Sequence, residues 1–129
     1  MKKAHAIHNE EVCNFLFANS EFYDWVITTA FYSALHYVHH EIFPVTIGTF
    51  RYENCEDYFS FLQSLKEKNI NKHSETLRLV QNYIPKALRY YRSLFDLCKN
   101  ARYHDYNIGK KKAVSAKEAL INIKKYLVK

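Results

Sequence analysis

WVITTAFYSALHYV, residues 25–38, is the longest apolar run in this chain of 129 residues. Apolar side chains would cover most of the circumference of a helix formed by this run, which is typical of a helix surrounded by other helices. The run contains Ser33 and His36 and is too short to cross about 30 Å of hydrocarbon. We therefore predict a central core helix that begins after an N-cap at Ser20 and ends near Phe43.

The composition favours long helices in the rest of the chain as well. Two Gly and two Pro are too few for a sandwich or barrel, in which a turn follows about every 8–12 residues. A hydrophobic content of 48% and a charged content of 25% are those of a globular domain. We predict one all-α domain over residues 1–129, a compact up-and-down bundle of about five or six helices whose first few residues are frayed.

Capping residues and apolar periodicity locate the other helices. The first helix is predicted to begin near His8 or Asn9, and the last to begin after an N-cap at Ser115. Residues 44–53 and 105–114 are predicted to be loops because they contain Pro and Gly. The helices between these segments are predicted over residues 54–68, 72–83 and 85–103, and the last helix extends to about residue 128.

The cysteines and histidines predict neither a disulfide framework nor a metal site. The three cysteines are widely spaced and odd in number, which indicates reduced, buried thiols in a cytoplasmic protein. Residues 1–8 contain no apolar region of a secretory signal, and we expect no membrane association. His36 and His40 lie one turn apart, as two zinc ligands can, but only Glu41 lies nearby to complete a set. We predict no metal and no cofactor.

The net charge of +6 predicts a surface that attracts polyanions. The most basic stretch, Lys110-Lys111-Lys112, lies near two tyrosines, and this combination of charge and rings is typical of contacts with an RNA strand. The alternative is a solvated loop. The residues predicted to bind RNA are Arg92, Tyr103, Tyr106, Lys110, Lys111 and Lys112.

Four segments resemble, in their order and spacing, the helix motifs of the HEPN (higher eukaryotes and prokaryotes nucleotide-binding) superfamily. Together they cover about residues 8–128. The segments are DWVITTAFYSALH (24–36), HSETLR (73–78), YYRSL (90–94) with KNARY (99–103), and AKEA (116–119).

The resemblance implies an all-α homodimer. Many members of the superfamily are metal-independent endoribonucleases that use an Arg-x4–6-His motif. Others are inactive modules that bind RNA, a nucleotide or a protein, or toxins held by a nucleotidyltransferase-type antitoxin. By this resemblance the partners expected for the chain are a second copy, RNA and a nucleotidyltransferase-type antitoxin. The alternative function is a non-catalytic module that binds such a protein partner or a nucleotide.

The catalytic motif of the superfamily falls on the end of the predicted helix 85–103. Lys99 stands at its Arg, Asn100 at its polar second position and His104 at its His, and Arg102 would supply the guanidinium that Lys99 lacks. These four residues are the predicted catalytic set, with His104 as acid or base and the cations holding phosphate.

Geometry sets a condition on this catalytic set. Lys99 and His104 would lie about 140° apart on a continuous helix, so the helix must end or kink near Arg102, or two copies must converge. In the alternative interpretation, Lys99 pairs with Asp96, Arg102 stabilises the helix C-terminus, and His104 lies in the adjoining loop.

Overall fold

The computed structural model describes residues 2–66, 68–103 and 107–129, and helices make up most of these residues. The predicted all-α bundle is confirmed. The described part of the chain contains six α-helices, one short 3-10 helix and one two-stranded hairpin. In order these are α1 (Lys2–Asn19), α2 (Tyr23–Ile42), β1 (Val45–Ile47), β2 (Phe50–Tyr52), α3 (Cys55–Leu65), α4 (Lys72–Tyr83), the 3-10 helix (Pro85–Ala87), α5 (Leu88–Tyr103) and α6 (Lys110–Lys125).

Helix α2 is the central element, as the apolar run predicts. It packs against α1, α5 and α6 and also contacts α4. Phe31 lies where α2 packs against α5. The centre of its ring is 5.7 Å from that of the Tyr91 ring and 5.7 Å from that of the Phe95 ring, both on α5. None of the helices in the described part of the chain combines the length and apolarity that a bilayer crossing requires.

Replacing Tyr91 by Phe is expected to raise the free energy of unfolding by about 1 kcal/mol. The Tyr91 side chain is completely buried, and its hydroxyl has no hydrogen-bond partner among the described residues. Phe keeps the ring and removes a polar group that unfolding would return to water. Urea denaturation of the two proteins measures the change, and a loss of stability in the variant would contradict it.

Helix α1 begins at Lys2, so the prediction of a start near His8 or Asn9 is wrong. The reason is tertiary: Ala6 is buried, and the Ser33 hydroxyl of α2 donates a hydrogen bond of 2.7 Å to its carbonyl oxygen. This contact with the central helix holds a segment whose own sequence has no apolar periodicity.

The prediction of Ser20 as the N-cap of the central helix is also wrong. Ser20 Oγ donates to the carbonyl oxygen of Leu16 (2.7 Å) and accepts from the backbone N–H of Phe22 (3.3 Å). The serine therefore joins the end of α1 to the start of α2, and Phe22 takes the N-cap position without a side-chain cap.

Residues 44–53, predicted to be a loop, contain an antiparallel hairpin in which Val45 pairs with Tyr52 and Ile47 with Phe50. Gly48 occupies the turn with a φ of +65°, a conformation that favours glycine. Tyr52 is buried and meets the ring of Tyr58 on α3 at 5.1 Å. This tertiary contact explains why so short a hairpin forms.

The last helix begins at Lys110 after Gly109, so residues 110–114 are not the predicted loop and Ser115 is not an N-cap. Ala113 and Ala116 are completely buried, and burial of this pair extends the helix toward its N-terminus. In a smaller difference, α3 ends at Leu65 and not at residue 68.

Candidate functional site

A cleft of about 200 Å³ opens between α2, the start of α4 and the last turns of α5. We call it the basic cleft, because two of the described residues that line it are cations and none is a carboxylate. Such a lining favours an anion. The residues of the basic cleft are Phe31, Tyr32, Asn71, His73, Phe95, Cys98, Lys99 and Arg102.

Helix α5 places both cations in the cleft. Lys99 and Arg102 are three residues apart, which leaves them about 60° apart around a helix. Arg102 Nη1 donates a hydrogen bond of 2.6 Å to Tyr32 Oη, and its guanidinium carbon lies 5.8 Å from the centre of the Tyr32 ring. The Lys99 side chain is exposed. Among the described residues it forms no ion pair, so the alternative pairing with Asp96 is absent.

Helix α4 directs its N-terminus toward the same cleft. Asn71 is the N-cap, and its Oδ1 accepts from the backbone N–H groups of His73 (3.0 Å) and Ser74 (3.1 Å). Asn71 and His73 both line the cleft. A helix N-terminus carries a partial positive charge that favours anions, so the dipole of α4 adds to the charges of Lys99 and Arg102.

His73 is the functional candidate that the sequence analysis missed. Its ring lies 5.6 Å from that of Phe31 and 5.4 Å from that of Phe95, and its Nδ1 is buried without a partner among the described residues. Burial and then the charge of Arg102 lower its pKa. The basic cleft therefore contains a neutral imidazole beside two cations. In the sequence, HSETLR (73–78) shows only its resemblance to a HEPN motif, because no local pattern indicates that this turn faces α5.

A second cavity of about 250 Å³ adjoins the basic cleft and shares Tyr32 and His73 with it. We call it the histidine pocket, because His36, His39 and His73 line it. Lys2 and Glu56 form an ion pair at this pocket. Among the described residues, no group of three potential ligands is placed to hold a metal ion.

The hydrogen bonds of His39 define its tautomer. Thr76 Oγ1 donates its single hydrogen to the carbonyl oxygen of Lys72 (2.9 Å). His39 Nε2, 3.1 Å from the same hydroxyl, must therefore carry a hydrogen and donate it. The Nδ1 atom is then a bare acceptor, buried without a partner among the described residues. Burial lowers the pKa of His39 to about 4, so the ring is neutral at pH 7.

The cysteines offer no nucleophile. Cys13, Cys55 and Cys98 are buried and form no disulfide, as the sequence predicts for reduced thiols. Burial raises the pKa of each thiol, that of Cys55 to about 11. Because the thiolate is the reactive form, all three remain unreactive at neutral pH.

The structure separates Asn100 and Arg92 from the basic cleft. Both line a shallow groove on the outer side of α5, together with Arg89 and Asp96. Asn100 lies about 160° around the helix from Arg102, so one side chain faces the groove and the other faces the cleft. Of the three described residues in the predicted catalytic set, the structure therefore brings Lys99 and Arg102 together and places Asn100 elsewhere.

The remaining predicted residues lie at or beyond the end of α5. His104 and Tyr106 lie outside the described residues, and Tyr103 is the last residue of α5. Lys110, Lys111 and Lys112 form the exposed first turn of α6 and do not line the basic cleft. Their charges oppose the dipole of α6, which has no acidic residue in its first turn, and a bound anion would relieve that repulsion.

No known protein-family model, curated protein or solved structure matches this chain. Membership of the HEPN superfamily therefore stays a prediction from the motifs.

Proposed function

We propose that this protein binds RNA and that the basic cleft holds a backbone phosphate. The observation that carries the proposal is the convergence of Lys99, Arg102 and the N-terminus of α4 on a cleft with no carboxylate among its described residues. The net charge of +6 extends the same preference over the surface and favours a polyanion over a single small anion.

The two cations have different tasks in this proposal. Arg102 presents a planar guanidinium, which pairs with two phosphate oxygens at once, whereas Lys99 contributes a mobile point charge. The hydrogen bond from Arg102 to Tyr32 restricts the guanidinium before RNA binds, so less side-chain entropy is lost on binding.

Neutralising either cation is expected to weaken RNA binding about three- to ten-fold. The salt dependence of binding should fall as well, because one phosphate contact on a single strand contributes about 0.7 to the slope of log K against log salt. Fluorescence anisotropy of a labelled RNA between about 50 and 200 mM salt measures both quantities. The variants are Arg102→Gln and Lys99→Gln.

Arg89→Gln is the matched control for this experiment. It removes the same charge from the outer side of α5, where Arg89 is exposed and contacts Tyr90. Affinity close to that of the unmodified protein is expected. An equal loss in all three variants would show attraction by net charge alone and would refute a phosphate site in the cleft.

Metal-independent cleavage is the second candidate function, and the neutral His73 imidazole beside the two cations favours it. Such a group can accept the proton of a ribose 2′-OH. Incubation of structured RNA in EDTA tests the candidate. Products that disappear with His73→Gln or His104→Ala support a ribonuclease, and intact RNA throughout leaves a binding module.

A homodimer in the cytoplasm stays part of the proposal. The buried, protonated cysteines are consistent with a reducing compartment. Sedimentation at several protein concentrations, with and without RNA, tests whether the protein forms a dimer.

A further inference from the structure

The only tryptophan of the chain, Trp25, is exposed at the start of α2. Trp25 is 56% exposed, and Phe22 beside it is 63% exposed. Trp25 and Phe22 lie three residues apart on one side of the helix start and form a contiguous aromatic patch, and such patches are common where another molecule binds.

Trp25 lies on the same face of α2 as the basic cleft. It precedes Tyr32 by seven residues, which places the two side chains within about 20° around the helix and about 10 Å apart along it. Tyr32 accepts the hydrogen bond from Arg102. A ligand that extends from Arg102 along this face toward the start of α2 therefore reaches Trp25.

Helix α5 brings its basic end toward the same place. Phe95 contacts Phe31, and the next turn of α5 places Cys98 beside Thr28. The two helices are therefore antiparallel here. Residues that follow Cys98, including Arg102, lie toward the N-terminus of α2.

The start of α6 adds more positive charge at this end of the bundle. Lys110 Nζ lies 5.7 Å and Lys117 Nζ 4.2 Å from the centre of the Phe17 ring. Phe17 in turn lies 6.4 Å from the ring of Tyr23 in the first turn of α2. The N-termini of α2 and α6 are thus neighbours, so the first turns of α6 add their charge to this end of the bundle.

We propose that Trp25 stacks on an unpaired base of the RNA whose phosphate occupies the basic cleft. This inference rests on the proposed function and deepens it, because it assigns single-stranded RNA as the ligand class. Base–aromatic stacking on a basic surface is how proteins hold single strands without reading their sequence. Because Trp25 and Tyr32 lie about 10 Å apart along α2 and Arg102 donates to Tyr32, Trp25 and Arg102 would contact nucleotides that are close together in one strand. Asp24 projects about 100° away from Trp25 around the helix.

Intrinsic fluorescence tests the stacking directly, because Trp25 is the sole tryptophan. The intact protein is titrated with a short oligouridylate and with an abasic phosphodiester of equal length. Anisotropy of labelled strands reports binding in parallel. We expect both strands to bind and only the strand with bases to quench Trp25. Binding without quenching overturns the stacking and leaves the phosphate site standing, whereas no binding of either strand overturns both.

Variants provide a second readout. Trp25→Ala is expected to weaken oligouridylate binding about ten-fold or more, and Trp25→Phe, which keeps a ring, to weaken it only slightly. Phe50→Ala is the matched control, since Phe50 is also 63% exposed but lies on the hairpin after the other end of α2; unchanged affinity is expected. Equal affinity of Trp25→Ala and the unmodified protein overturns the inference. So does a Trp25 emission shift with protein concentration in the absence of RNA, which would assign the ring to an interface between copies.

Discussion

Phe31→Ala is expected to lower the free energy of unfolding by about 3–5 kcal/mol. Phe31 is 2% exposed and meets the rings of His73, Tyr91 and Phe95 at centroid distances between 5.6 and 5.7 Å. Alanine would leave a cavity where α2, α4 and α5 meet, and packed neighbours fill such a cavity only in part. Urea denaturation followed by circular dichroism measures the loss.

A loss of this size is a large share of the stability of a small domain, which is about 5–15 kcal/mol. Phe31→Leu keeps most of the volume and is expected to fold with a smaller loss, which keeps the comparison possible if the alanine variant does not fold. Phe15→Ala is the control, because Phe15 is 65% exposed; its change should stay within about 0.5 kcal/mol. Similar losses for Phe15→Ala and Phe31→Ala would be incompatible with the packing described.

Lowering the pH from about 7 to about 4 is expected to reduce the free energy of unfolding, with His39 alone contributing about 3 kcal/mol. Burial lowers its pKa from 6.5 to about 4. The unfolded chain therefore takes up a proton at a pH where the folded chain does not, and protonation favours unfolding. The contribution is absent above about pH 7, grows as the pH falls through 6.5 and is complete near pH 4. Urea denaturation at several pH values measures it.

His39→Gln is expected to flatten the pH dependence, because the amide does not titrate and can still donate to Thr76. Part of the decrease in the free energy of unfolding with falling pH should remain, because the pKa values of His36 and His73 are also lowered, mainly by burial. His8→Gln removes an exposed histidine of α1 and should leave the slope unchanged. If His39→Gln keeps the full slope, the loss of stability arises elsewhere.

The sequence predicted elements whose limits are set by local chemistry. Helix α4 has the predicted limits, Lys72 and Tyr83, because Asn71 caps its start and Pro85 follows its end. The hairpin was missed because a pair of three-residue strands has no periodicity of its own. The early starts of α1 and α6 were missed because burial of alanines in the core lengthens both helices.

The candidate site also contains residues that the sequence could place and one that it could not. Lys99 and Arg102 could be placed on one face of a helix from their spacing alone. The same spacing places Asn100 on another face of α5. The resemblance to the HEPN motif nevertheless grouped Asn100 with Lys99 and Arg102 in the predicted catalytic set. His73 could not be found, because its place beside α5 depends on how α4 and α5 pack against Phe31 and against each other.

The sequence by itself determined the class of the fold and the positive charge of the surface. Apolar periodicity and scarce turn residues specify helices through neighbours in the chain, and the net charge is the sum of the charged residues wherever they lie. Only the tertiary structure decided which charges share a cleft, which histidines lose their protons and which aromatic rings stay in water. Those properties depend on distances between helices far apart in the chain, and these distances are set by how side chains of different shapes fill the space around α2.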